Sequence, residues 1–212
     1  MGFVKRQKEE RADVNERVYE RNCDGFSAQL KDPDPAVRRW AARDIVECPG
    51  ASTVLLERLE KEEAIEVRQA IFTSLINIGD RDAITGLVEC LRSEDAALRN
   101  EAIEAMKQLP EGVSAIIKEL LKDDDPDVRI FAVNILEALS HPDVEEWLID
   151  VIESDSHVNV CATAVDLLAE IGTEKSLNSL DKLRTRFSSE PYIQFAVNIA
   201  IERITNGQYH DK

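Results

Sequence analysis

A branched apolar residue followed by arginine recurs along this chain at Val37-Arg38, Val67-Arg68, Leu98-Arg99 and Val128-Arg129, and Val160-Cys161 and Tyr192-Ile193 then stand in its place. The steps between these pairs are 30, 31, 30, 32 and 32 residues. So regular and short a period leaves no room for separate domains. It marks a solenoid, in which each unit buries its apolar face only against its neighbours.

Within a unit the apolar positions follow a helical period twice, as in Val128, Ala132, Val133, Leu136 and Leu139 and then Val144, Trp147, Leu148 and Val151. Each unit is therefore expected to be an antiparallel helix pair. Asp34-Pro35 and Asp125-Pro126 place a capping acceptor before a proline at the first helical position. Gly79, Pro110 with Gly112, Pro142 and Gly172 fall in the turn between the two helices of a unit. The pattern predicts first helices near 35–47, 64–78, 95–108, 126–139, 157–171 and 190–205, and second helices near 51–61, 81–92, 112–122, 143–153 and 174–187. Residues 26–30 resemble a truncated second helix, preceded by a polar helix from about Val4 to Asn22 with a thin seam of Val4, Val14, Val18 and Tyr19. That helix is expected to cap the first unit or to order on a partner. The expected division is an arm at 1–23, a repeat body at 24–205 and a tail at 206–212.

Charge removes several functions. The chain carries 26 Lys and Arg against 42 Asp and Glu, a net of −16. The first 31 residues are nearly balanced, so the acidity lies on the repeat body, which repels phosphate backbones and argues against nucleic acid as a partner. No stretch approaches the ~18 apolar residues of a membrane helix, and the N-terminus lacks an apolar signal region, so a cytoplasmic protein without membrane insertion is expected. Gly2 invites myristoylation, but Arg6 stands where the motif wants Ser or Thr. Cys23, Cys48, Cys90 and Cys161 form no CxxC pair, which argues against a zinc ribbon or a disulfide scaffold and suits structural thiols.

The stretches at 32–43 (Asp-Pro-Asp-Pro-Ala-Val-Arg-Arg-Trp-Ala-Ala-Arg) and 124–133 (Asp-Asp-Pro-Asp-Val-Arg-Ile-Phe-Ala-Val) resemble the short HEAT-type repeats of phycobilin lyase subunits and many bacterial and archaeal proteins. The resemblance implies an all-α fold, a right-handed α-solenoid of about five to six short HEAT-like helix pairs. It also implies a ladder in which Arg38, Arg68, Arg99 and Arg129 meet acidic residues at the preceding turn, such as Asp34, Asp95 and Asp125. Cys161 and Ile193 occupy the arginine position in the last two units, so the ladder is expected to stop after the fourth. Deoxyhypusine hydroxylases, a catalytic branch of the superfamily, bind iron through His-Glu pairs, and this chain contains none. No lyase catalytic residue transfers onto it.

No nucleophile with its base, phosphate-cradling loop or clustered metal ligands emerges from the residues, and no cofactor is expected. His141, His157 and His210 sit at two different kinds of turn and in the tail, and acidic runs such as Asp123-Asp124-Asp125 and Glu145-Glu146 suit helix N-termini. Interaction surfaces remain. In HEAT-type arrays the second helices line the concave face, and alignment places Thr53, Thr85, Ser114 and Glu145 in one row and Glu57, Glu89, Lys118 and Ile149 in the next. Trp40 and Phe131 share the repeat position of Glu101, so that face is expected to be partly exposed. The last helix is apolar nearly all round, leaving a narrow polar stripe through Gln194, Asn198 and Glu202. A terminal repeat normally has a polar outer face, so Tyr192, Phe195 and Ile199 either meet another protein, or a second copy of the chain, or form an untidy cap. The expected function is a non-catalytic protein-interaction scaffold or adaptor; the competing reading is an accessory or lyase-type subunit of a heteromeric enzyme acting on a chromophore- or cofactor-bearing protein.

Overall fold

In a computed structural model, which describes residues 19–207, every regular element is helical. The helices are α1 (Cys23–Gln29), α2 (Pro35–Asp44, continued by a 3-10 turn at Ile45–Glu47), α3 (Ala51–Leu59), α4 (Ile65–Ile78), α5 (Arg81–Cys90) and α6 (Ala96–Lys107). They continue as α7 (Pro110–Leu120), α8 (Pro126–Leu136), α9 (Val144–Ser154), α10 (Val158–Ile171), α11 (Glu174–Arg186) and α12 (Pro191–Gly207). The even-numbered helices from α2 onward are the expected first helices of each unit, and the odd-numbered helices from α3 are the second. The proposed arm helix lies outside the described residues up to position 18, and its described remainder at 19–22 is not helical. There Tyr19 Oη donates to Asp32 Oδ2 at 2.7 Å.

The chain divides into two compact units, one ending at Ser74 and one beginning at Leu75, so the division falls within α4. In the first unit, Leu30, Ile45, Leu55 and Ile71 are fully buried, and Ser74 Oγ donates to the Ala42 carbonyl at 2.7 Å, fixing α4 on α2. Cys23 and Cys48 form a disulfide with their Cα atoms 5.6 Å apart, which corrects the expectation of four unpaired thiols. It is a single staple from the start of α1 to the turn after α2, and it closes a loop worth roughly 3 kcal/mol of chain entropy. In the second unit, Leu87, Met106, Ile117, Leu136, Leu148, Val165, Leu168, Val197 and Ala200 form the buried seams between successive helices.

Two turn residues behave differently from each other. Gly79 ends α4 with φ +58°, a left-handed conformation that glycine adopts without strain, and its N–H bonds back to Leu75 O at 2.9 Å. Gly172 ends α10 with an ordinary φ of −66°; glycine is needed for space, because a Cβ there would lie 2.4 Å from Leu168 O and 3.0 Å from Ile204 Cδ1. Pro110 and Gly112 correct the expected turn: α7 begins at Pro110, where a missing N–H costs nothing, and Gly112 lies inside it.

The turns between units share one construction. Asp34, Asp95 and Asp125 cap α2, α6 and α8 by accepting from the N–H of Ala36, Ala97 and Asp127, each at 2.8 or 2.9 Å. Two residues earlier, Asp32, Ser93, Asp123 and Asp155 accept the N–H of residues 34, 95, 125 and 157, as Glu62 does for Ala64. The recurring arginine reads both parts of the turn. Arg38 Nη1 donates to the carbonyls of Asp32 and Pro33 at 2.8 and 3.0 Å, and its Nε and Nη2 grip Glu62 at 2.8 and 2.7 Å. Arg129 repeats this with the carbonyls of Asp123 and Asp124 and the carboxylate of Asp155. Arg99 takes the carbonyls of Ser93 and Glu94, with its guanidinium 6.0 Å from the Phe131 ring centroid. For Arg38 and Arg129 the carboxylate thus comes from the turn that follows, while Asp34 and Asp125 cap helices.

In the fifth unit no arginine stands at the ladder position. Cys161 is buried in the arginine position, and Arg186, from the last turn of α11, donates to the carbonyls of Ile152, Glu153 and Asp155 at 2.7–2.8 Å. Burial pushes the Cys161 thiol up, and the neighbouring Arg186 only partly offsets this.

Two outcomes follow from this construction. Removing the cap in Asp125→Ala should cost about 1 kcal/mol, seen as a lower denaturant midpoint with an unchanged slope. Burial raises the Glu62 carboxyl, but hydrogen bonds from Arg38, the Ala64 N–H and Arg58 outweigh it and bring the pKa from 4.5 to about 2. A depressed folded-state value stabilises the fold above pH 4.5, and that stabilisation, on the order of 3 kcal/mol, is lost as pH falls toward 2. Denaturant titrations between pH 6 and 2 should show Glu62→Gln less stable than the wild type at pH 6, with the gap closing on acidification; a constant gap would mean the carboxylate is not held in this way.

Candidate functional site

The second helices carry the polar rows expected of them. Thr53 and Glu57 on α3 are exposed, as are Thr85 and Glu89 on α5 and Lys118 on α7. Several members already have structural duties. Thr85 Oγ1 and Ser114 Oγ donate to the carbonyls four residues earlier, Arg81 O and Pro110 O. Lys118 Nζ lies 5.2 Å from the Trp147 ring centroid. Glu145 is half-buried and accepts from both the N–H and the hydroxyl of Thr173 at 2.6 and 2.9 Å, tying α9 to the start of α11. Ile149 is half-buried on α9.

Between α5 and α7 lies a groove of about 550 Å³ that the row alignment did not single out. Ile84, Val88, Ile116 and Leu120 line it, Thr85 is the one member of the expected rows on its wall, and Arg81 and Glu119 stand at its rim. The signal in the sequence is the small pair Gly112 and Ala115 on a helix otherwise rich in isoleucine and leucine. Its meaning depends on which helix lies opposite.

The C-terminal helix presents a second surface. Ile193, Val197, Ala200 and Ile204 are buried, and α12 packs on α10 and α11. Tyr192 and Phe195 remain 55% and 64% exposed, and Ile199 is half-buried beside them. Tyr192 Oη donates to Asp166 Oδ2 at 2.9 Å, and this bond raises the phenol's pKa. Ile171, at the end of α10, is 44% exposed. Trp40 is 46% exposed on α2, with the guanidinium carbons of Arg39 and Arg43 5.9 and 5.7 Å from its ring centroid, while Phe131 is half-buried.

Among the described residues no group of three or more His, Cys, Asp and Glu is placed to hold a metal ion. His141 Nδ1 accepts from the Asp143 N–H at 3.2 Å, and its ring stacks on Trp147 at 4.7 Å. His157 precedes α10 in extended conformation, and His210 lies outside the described residues. No helix of the described residues is long and apolar enough to cross a membrane.

Known proteins resemble this arrangement. Over 75 residues the chain is 37% identical to the Bilin biosynthesis protein PecE of Nostoc sp. (strain PCC 7120 / SAG 25.82 / UTEX 2576), a match that covers 34% of this chain and spans about a third, 30%, of that relative. Among solved structures, Drosophila melanogaster Mini spindles TOG3 superposes with a TM-score of 0.52 at 15% identity, covering 84% of this chain and 92% of its own. The archaeal HEAT-like repeats protein from Thermococcus onnurineus NA1 gives a TM-score of 0.43 at 17% identity over 87% of each chain. The superposition on Mini spindles TOG3 concerns the fold alone. The model for HEAT repeats matches residues 23–107 and 113–202, most of the chain, and the protein belongs to the HEAT-repeat family.

Proposed function

We propose that this protein is a non-catalytic interaction scaffold, an acidic adaptor of the cytoplasm that holds another protein, or a second copy of itself, against its C-terminal helix. The observation that carries this reading is the outer face of α12, where Tyr192 and Phe195 are largely exposed and Ile199 is half-buried. Large aromatic side chains exposed together on one helix face are better explained by a contact than by stability. Aromatic anchors flanked by solvated polar positions such as Asn198 and Glu202 suit an interface centre with its rim.

A second reading is an accessory subunit of a lyase-type enzyme. It draws on the 75-residue likeness to the Bilin biosynthesis protein PecE, and a stoichiometric chromophore in the purified protein or its complex would favour it.

Light scattering across a dilution series tests the scaffold reading. The wild type should show a mass that falls on dilution, and Ile199→Glu or Phe195→Glu should bring it to the monomer value with helicity unchanged. A wild type that is monomeric throughout removes self-association, and a partner capture insensitive to both substitutions would remove this face altogether.

A further inference from the structure

Helix α1 is held to the protein more by a covalent bond than by packing. Of its seven residues only Gln29 is buried, and the Nε2 of that side chain has no hydrogen-bond partner among the described residues, which opposes its burial. Phe26 is half-buried, while Cys23, Asp24 and Ala28 are exposed. A helix this short has little stability of its own. Its two ends are secured differently. Just after α1, Leu30 is 2% exposed and Arg38 Nη1 holds the Asp32 carbonyl at 2.8 Å, so the exit belongs to the core and the turn of the first unit. At the entry stands the Cys23–Cys48 bridge, which ties α1 to the turn after α2.

That bridge is open to exchange. Cys23 is exposed and Cys48 half-buried, so a dissolved thiol reaches it without prior unfolding. The rest of the unit keeps a core of its own, since Leu55 on α3 and Val67 and Ile71 on α4 are fully buried and Ser74 fastens α4 to α2. We propose that the Cys23–Cys48 pair is a redox switch that docks α1 when oxidised and releases it when reduced, with the exit at Leu30 as the fixed end. In the reducing direction a thiolate of the glutathione type attacks the Cys23 sulfur, the S–S bond breaks, and Cys48 leaves as a thiolate that takes up a proton. A second thiolate attacks the glutathione sulfur of the mixed disulfide, and Cys23 leaves in the same way. Two electrons have then passed to the chain, which holds two thiols, and the reductant has become glutathione disulfide. The same couple run in reverse closes the bridge. Release uncovers the surface of α2 and of the Ile45–Glu47 turn on which α1 packs, where Ile45 is 1% exposed in the bridged form. An apolar strip thus appears on reduction and is covered again on oxidation.

The test is amide hydrogen exchange on the full chain, read by mass spectrometry in glutathione and in glutathione disulfide buffers, with alkylation of free thiols reporting the state of the bridge. Residues 26–30 should exchange faster in the reduced protein by roughly a hundredfold, the scale of the loop-closure entropy that a bridge of this length removes, while α3 and α4 keep their protection. Cys23→Ser should exchange at the fast rate in both buffers, and the comparison of the two buffers on the wild type does not depend on how that variant folds. A bridge that glutathione opens only in denaturant would overturn the proposal. So would equal protection of residues 26–30 in the bridged and opened protein, because packing alone would then hold α1. Loss of protection in α3 and α4 together with α1 would overturn it too, making the bridge a staple of the whole unit. None of these outcomes depends on α12, so the scaffold reading stands or falls separately by the effect of Ile199→Glu.

Discussion

The structure depends on one repeated arrangement, a guanidinium that closes its own turn through two backbone carbonyls and reaches a carboxylate in the turn after it. At Arg38 and Glu62 both partners are nearly dry, with side chains 10% and 0% exposed. A buried ion pair is not by itself a large source of stability, because desolvating the charges offsets much of their attraction. Its geometric effect is the stronger one. The carboxylate of Glu62 simultaneously holds the Ala64 N–H and Arg58, and that of Asp155 holds the His157 N–H. Breaking one member leaves a charge and a backbone donor unsatisfied together, so the spacing between successive helix pairs is tightly specified.

That specification explains how surfaces can persist on a protein with so little apolar area per unit. Helix seams supply non-directional attraction, whereas the turns decide how far each helix pair sits from the next. Arg186 shows that the requirement belongs to the turn rather than to a sequence position. Where Cys161 stands in place of the usual arginine, another guanidinium arrives from α11 and takes the carbonyls of Ile152, Glu153 and Asp155.

Much of the fold was legible because helical periodicity, Asp-Pro starts and the 30-residue step all point the same way, and helices α2 to α12 fall within a few residues of their expected bounds. The site was less legible, for physical reasons that differ by residue. The aromatic face of α12 follows from the apolar pattern of the helix itself, in which Tyr192 and Phe195 recur at helical spacing. The turn carboxylates at positions 62 and 155 look like ordinary helix-start charges, since their second bond depends on an arginine 24 or 26 residues away. Cys23 and Cys48 are likewise 25 residues apart, and only the packing of α1 beside the turn after α2 brings them together. The groove needs Gly112 and Ala115 to face Ile84 and Val88, which no single helix announces.

A double-mutant cycle at Arg129 and Asp155 tests the central claim most directly. Unfolding free energies of Arg129→Met, Asp155→Asn and the double variant should give a coupling on the order of 1–3 kcal/mol, because each single change leaves the other half-buried partner without its counterion. Additive effects within about 0.5 kcal/mol would mean that the guanidinium and the following turn act independently, and that the helix pairs are positioned by apolar packing alone.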